Sequence, residues 1–474
     1  MKSMRILTLF GIAFIAACGG GGTQVAGIDG GDSPAPVAIA VAKGTITGFG
    51  SIFVNDIRYD IANATITVEG SPGDEASLAV GQVVVVKGSL SSDGTTGTAD
   101  SVTFDDVVEG PVTAIDTTAG TLMVMEQLVR VDADTSFDDT ISPASLDGLV
   151  VGDIVEISGF FLADGSIGAT RIETKSPGSE FEVTGTVSNV NATTFQINDL
   201  LVDFSAAMID NFPGGTPEEG QRVEAKGSAF GASGELLATR IEFKGDDLAD
   251  DGDHVEIEGF ITRFGSEADF DVEGVTVITD GNTQFENGSS TDLALNRKVE
   301  VEGEINAAGV LVAENVELKL SGFIRIESLV ENVQANQITL LGITVNVDAS
   351  TRIEDKSDVD MRPFSLADIV VGDFVVLRGF EDANGIVATR LEREDFEGEV
   401  ALRGFVESTN DPDFTILGVT VQTVQVAGGT IFRDVDNNAI TPAVFFGQAQ
   451  GSLVEAVGTL SNGIIIATEA DIEN

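Results

Sequence analysis

From Gly44 onward, apolar and polar positions alternate in short runs broken by glycine, asparagine and aspartate, and the runs recur in the same order six times. An opening segment reads KGTITGFG, VEGPVTAI, VTGTVSNV, IEGFITRF, SGFIRIES and LRGFVEST, with glycines at Gly44, Gly110, Gly185, Gly259, Gly322 and Gly404. A later segment reads VVVVKG, IVEISG, RVEAKG, KVEVEG, FVVLRG and LVEAVG, ending at Gly88, Gly159, Gly227, Gly303, Gly379 and Gly458. The period averages about 74 residues, and two series in step mark a true internal repeat. Between them lies a run alternating on both sides of a two-residue centre such as Asn55-Asp56, Glu273-Gly274 or Leu341-Gly342. Asn, Asp and Gly tolerate the positive φ of a tight turn, so each run predicts a β-hairpin.

Each module therefore predicts a strand, a two-stranded hairpin, a turn or two of helix around a leucine, and two further strands. In modules two and five the hairpin is followed by VDADTSF and VDASTRI, where Asp and Thr cap a turn. Five strands with a helical piece between the third and fourth is the order of an OB-type barrel. A propeller blade of 40–50 residues is too short for this period, and an immunoglobulin-like sandwich too long. The expectation is an all-β chain of six small five-stranded OB-like barrels in a row, with the closing glycines at turns beside strand ends. Residues 1–17 read as a signal peptide and 18–42 as a Gly/Pro/Ala linker. The modules follow at 43–106, 107–180, 181–253, 254–318, 319–395 and 396–474.

The N-terminus carries its own pattern. Lys2 and Arg5 precede the apolar run ILTLFGIAFIAA, which is too short to span a bilayer comfortably and fits a secretory signal. It ends in Ile15-Ala16-Ala17-Cys18, similar to a bacterial lipobox, with the only cysteine in the chain. Lipidation of Cys18 would supply the two or more acyl chains that stable anchoring needs; an ordinary signal peptide with a chance cysteine is the alternative. Gly19 lacks the aspartate that retains some lipoproteins in the inner membrane, so the expected location is the cell envelope, at the outer membrane.

Charge narrows the partners. The chain has 77 acidic and 25 basic residues, a net charge of −52 that becomes −54 without Lys2 and Arg5. Such a surface repels nucleic acid, so no nucleic-acid partner is expected. Its electrostatic partners are cations, or else the charge serves solubility alone. With one histidine (His254), one tyrosine and no tryptophan, neither a Ser-His-Asp triad nor a His-rich zinc site is within reach, and no enzyme activity is expected. His254 reads as a surface residue at a strand edge.

The sequence demands no cofactor, and calcium is the one it could recruit. Asp434, Asp436 and Asn438 space oxygens two apart as calcium loops do, yet Ala439 and Phe445 stand where an EF-hand has glycine and glutamate. Asp246, Asp247, Asp250, Asp251 and Asp253 form a second acidic cluster between modules three and four, with a hydrated, self-repelling loop as its plainer reading. Gly152-Asp153 and Gly372-Asp373 read as turns. Arg171, Arg240 and Arg390 read as partners of nearby carboxylates such as Glu173 and Glu242 on a solvated strand face.

The stretches GTITGFGSIFVNDIRYD, VEGPVTAIDTTAGTLMV and GDIVEISGFFLADGSIGATRIE resemble the domain-of-unknown-function family 5666. The likeness covers most of residues 43–393 and thins in modules three, four and six. It implies tandem modules in secreted or lipid-anchored bacterial proteins and brings no catalytic residues. The function these readings favour is a non-enzymatic, membrane-anchored scaffold whose barrels extend from the membrane toward envelope proteins. The alternatives are a binder of envelope polysaccharide and an acidic stalk stiffened by calcium.

Overall fold

In a computed structural model, residues 39–49, 51–91, 94–245, 248–320, 322–382, 385–435 and 438–473 are described. Alternation does in each module what the pattern requires. In module two, the first strand, Val108–Asp116, pairs antiparallel with Thr121–Val124, which turns back into Gln127–Arg130. That third strand runs parallel to the fifth, Ile167–Thr174; the fifth pairs with the fourth, Ile154–Phe161, and the fourth with the first. The ring is closed. Its inward positions, among them Leu122, Val124, Val129, Val155, Ile157, Ile167 and Ile172, are at most 1 % exposed. The same five pairings close modules one, three, four, five and six. This is the five-stranded OB-type order expected from the sequence, and closure removes the edges that an open sheet would expose.

Four details depart from the sequence reading. A short extra strand follows the third one in every module, parallel to the fifth; Ser136–Phe137 and Arg352–Asp355 are examples. The helical piece is a single 3-10 turn in modules one, two, four and five, as at Leu146–Gly148; module three has none among its described residues, and in module six the helix Pro442–Gln448 buries Phe445. The first strand begins at Ile39, inside the segment assigned to the linker, because Val41 and Ala42 are core residues.

The fourth concerns the closing glycines. Gly88, Gly159, Gly227, Gly303, Gly379 and Gly458 lie within strands, and none takes a positive φ. Each sits instead at a β-bulge where the register against the fifth strand shifts by one residue. A Cβ at these positions would meet a backbone carbonyl oxygen of the facing strand at 2.0–2.5 Å. Close backbone approach, not turn geometry, reserves them for glycine.

The modules do not line up in chain order. Modules two and three share one 12-stranded sheet through Val108 and Glu109 against Val183 and Glu182. Modules five and six share another through 325–327 against 401–403. Module one skips two neighbours and joins module four: Ala40, Val41, Ala42 and Lys43 run parallel to His254, Val255, Glu256 and Ile257 in a 13-stranded sheet. Further bonds tie the pairs together. Val83 N donates to Ser158 Oγ (2.8 Å), Arg390 to the Thr135 carbonyl (2.7 Å) and Phe161 N to Glu273 (2.8 Å). The described residues from Ile39 to Glu473 form one compact unit in which the six tandem barrels pack on one another.

Candidate functional site

The hairpin turns explain how side chains reach the seams between barrels. Asn55, Met125, Asn198, Glu273, Leu341 and Leu417 all take φ between 46° and 52°, although Met, Leu and Glu rarely adopt it. In three modules this left-handed residue folds its side chain over the opening glycine. A Cβ at Gly44, Gly110 or Gly259 would strike the side chain of Asn55, Met125 or Glu273, whereas at Gly404 it would strike Ile416, the residue before the turn. Module five differs: Ser328 faces Val375 where the other opening glycines face their valines, so Gly322 is out of step with the series. The turn residues of modules one and four meet at the seam they share. Asn55 Nδ2 donates to the carbonyls of Lys43 (3.2 Å) and Glu256 (3.3 Å), and Lys43 pairs with Glu273 at 3.1 Å.

Modules one, two, four and five surround a cavity of about 410 Å³. Module one contributes Asp56 from its hairpin turn, and module four contributes Glu258, Glu300 and Glu317 from its strands. The matching turns of modules two and five add Asp132, Asp134, Asp348 and Ser350. Within those turns Asp132 accepts from Asp134 N (2.9 Å) and Asp348 from Ser350 N (3.1 Å), so they cap as expected while also facing the cavity. Nine carboxylates line the space (Asp56, Asp132, Asp134, Glu258, Glu286, Glu300, Glu317, Asp348 and Asp382) against three cations, Lys298, Lys319 and Arg352.

The acids are unequal. Burial would push Glu258 up, but Lys298 at 2.6 Å and Arg352 outweigh it and hold the carboxyl at about 2, while Thr45 N donates to it at 2.8 Å. Glu300 and Glu317 share the Lys319 ammonium at 2.9 and 2.6 Å. Even so, burial, with Asp56 and Glu317 nearby, raises Glu300 to about 7, and burial raises Asp56 to about 6. Negative charge is crowded here beyond what the three cations neutralise, and the cavity suits a positively charged guest.

The residues singled out from sequence fall elsewhere. Cys18, Asp246, Asp247 and Asp436 lie outside the described residues. Asp253 accepts from Asp250 N (2.9 Å) in a turn built like those at Asp153 and Asp373, each after a left-handed glycine. Asp434 Oδ1 accepts from Asn438 N at 2.9 Å, closing that loop on itself. Two triads of described acids have carboxylate oxygens within 4.8 Å of one another, Asp56–Glu300–Glu317 and Glu69–Asp106–Glu156. Neither includes Asp250, Asp251, Asp253 or Asp434. Arg171, Arg240 and Arg390 do pair with Glu173 (2.5 Å), Glu242 (3.4 Å) and Glu392 (2.5 Å). Arg171 and Arg390, however, are buried between modules rather than solvated, Arg171 donating to the Val80 carbonyl at 3.1 Å. His254 is half-buried and paired with Glu302 at 3.3 Å, which raises its pKa. It pairs on both sides, with Ala40 and Glu304, so it does not lie on a free edge.

A model of the domain of unknown function DUF5666 matches the chain six times, at residues 43–103, 109–173, 184–242, 258–317, 327–392 and 403–471. No curated protein matches. Among solved structures, a Drosophila Unr fragment titled CSD456 is 16% identical over 46% of this chain and 98% of its own, with a TM-score of 0.12. A superposition that loose supports no argument. No helix among the described residues is long and apolar enough to cross a membrane.

Proposed function

The chain belongs to the DUF5666 family, and from that premise we propose that it is a non-enzymatic, lipid-anchored scaffold of the bacterial cell envelope whose assembled modules bind a small organic cation. The observation that carries this reading is the cavity shared by four modules, with nine carboxylates against three cations. No single barrel holds the site, so binding is a property of the assembled repeats. Phe260 and Phe380 add apolar wall to the anionic one, the combination that receives an alkyl ammonium better than a bare hydrated ion. Anchoring rests on the sequence pattern at Cys18.

Spermidine is a suitable probe. Isothermal titration in about 150 mM salt, where loose counterions are screened, should give saturable binding to the wild type. Asp56→Asn with Glu300→Gln should weaken it at least about tenfold, since each lost contact with a partly desolvated cation contributes on the order of 1 kcal/mol. Heat that tracks ionic strength alone, or binding untouched by the double substitution, would sink the proposal.

A further inference from the structure

We infer that Glu69, Asp106 and Glu156 form a buried calcium site that fastens module one to module two. The three come from different places. Glu69 is the left-handed residue (φ 50°) of the turn after Thr65–Val68, Asp106 lies between the modules, and Glu156 is on the fourth strand of module two. Their oxygens lie within 4.8 Å of one another, the greatest separation two oxygens can have when both bind one ion at about 2.4 Å.

Asp106 makes this more than an acidic cluster. It is 3 % exposed, and both carboxylate oxygens lack a hydrogen-bond partner among the described residues. An ionised carboxylate so placed carries a large desolvation cost unless a cation meets it. Glu69 is already turned toward it, accepting from Asp106 N at 2.7 Å. Two lysines reach the edge of the cluster, Lys175 on Glu156 and Lys226 on Glu182 and, at 3.6 Å, on Glu69, but among the described residues no cation pairs with Asp106. The other triad is different: Lys319 bridges Glu300 and Glu317, and none of its carboxylate oxygens is buried without a partner among the described residues. All-carboxylate donors select a hard cation, and calcium tolerates the irregular geometry of a seam between barrels better than magnesium.

The test uses the full chain, stripped with chelator and dialysed. Calcium should bind at one tight site by isothermal titration and raise Tm by a few degrees beyond sodium or magnesium chloride at matched ionic strength. Asp106→Asn should lose that calcium increment and weaken binding at least about tenfold, while raising the Tm of the metal-free protein by removing an unpaired buried charge. Glu69→Gln should lose the increment as well, and Asp253→Asn should keep it. A calcium rise no larger than that of neutral salt would overturn the inference, as would an Asp106→Asn protein that retains the increment. Loss of the increment in Asp253→Asn would place the ion in the loop instead and overturn it too.

Discussion

Carboxyl groups buried at the seams make proton binding part of this protein's stability. Burial, against the pull of Lys175, raises Glu156 to about 7; burial reinforced by Glu392 and Glu327 raises Glu394 to about 7, alongside Glu300 at about 7. In the unfolded chain the same groups titrate near 4.3. Between about pH 4 and 7 the folded state therefore binds more protons than the unfolded state, so stability falls as pH rises through that window. Glu258 works in the opposite sense. Burial opposes its charge, Lys298 and Arg352 outweigh burial, and it is held at about 2. Asp355 behaves alike through Arg393 and Ser357. Their stabilisation is present above about pH 4 and is lost as pH falls toward 2. The metal-free protein should be most stable near pH 4 and lose on the order of a few kcal/mol by pH 8. Melting temperatures across pH 3–8 at fixed ionic strength check this, and a maximum at or above pH 7 would contradict it.

At the scale of the strand pair, the bulge opposite each closing glycine is the repeated constraint. It shifts the register between the fourth and fifth strands by one residue and gives a small barrel the local twist it needs to close. At Gly379 an added Cβ would lie 2.2 Å from the Val387 carbonyl oxygen. Alanine there, with no β-branch at all, should therefore destabilise by about 1–3 kcal/mol. Urea unfolding of Gly379→Ala measures this, and an unchanged midpoint would mean the two strands part freely. The glycines, hairpins and five-strand order were legible because alternation and glycine spacing are local properties of the chain. The reason for the glycines was not, because the carbonyl they approach belongs to a strand several residues away in sequence. Leu341 shows the same limit: its turn is visible in the spacing, but nothing local announces a leucine at φ 52°. Ser328 was missed because Gly322, six residues earlier, satisfies the sequence alignment while the ladder does not. The cavity was invisible for a larger reason, since its carboxylates come from four modules whose contacts follow no order in the chain. Asp106 reads from sequence as one more acid in an acidic linker, and only its unpartnered burial distinguishes it.

For the molecule as a whole, repetition yields an assembly and not a string. Modules one and four, two and three, and five and six each share a sheet, and salt bridges such as Lys356–Asp139 (2.6 Å) join modules five and two across them. The proposed lipid at Cys18 would give such a body a single point of attachment. Cys18→Ser should move the protein from the membrane fraction to the soluble fraction without altering its melt; a variant that stays membrane-bound would refute lipidation at this position. The parallel seam between modules one and four also imposes an order in time. The strand at Ala40–Lys43 leaves the ribosome first, yet the strand it must pair with begins at His254, with modules two and three made in between. Until then the first module waits with an unpaired edge, and a chain that halted after module three would carry that edge permanently. Synthesis must therefore run well past the halfway point before the earliest part of the chain can finish folding.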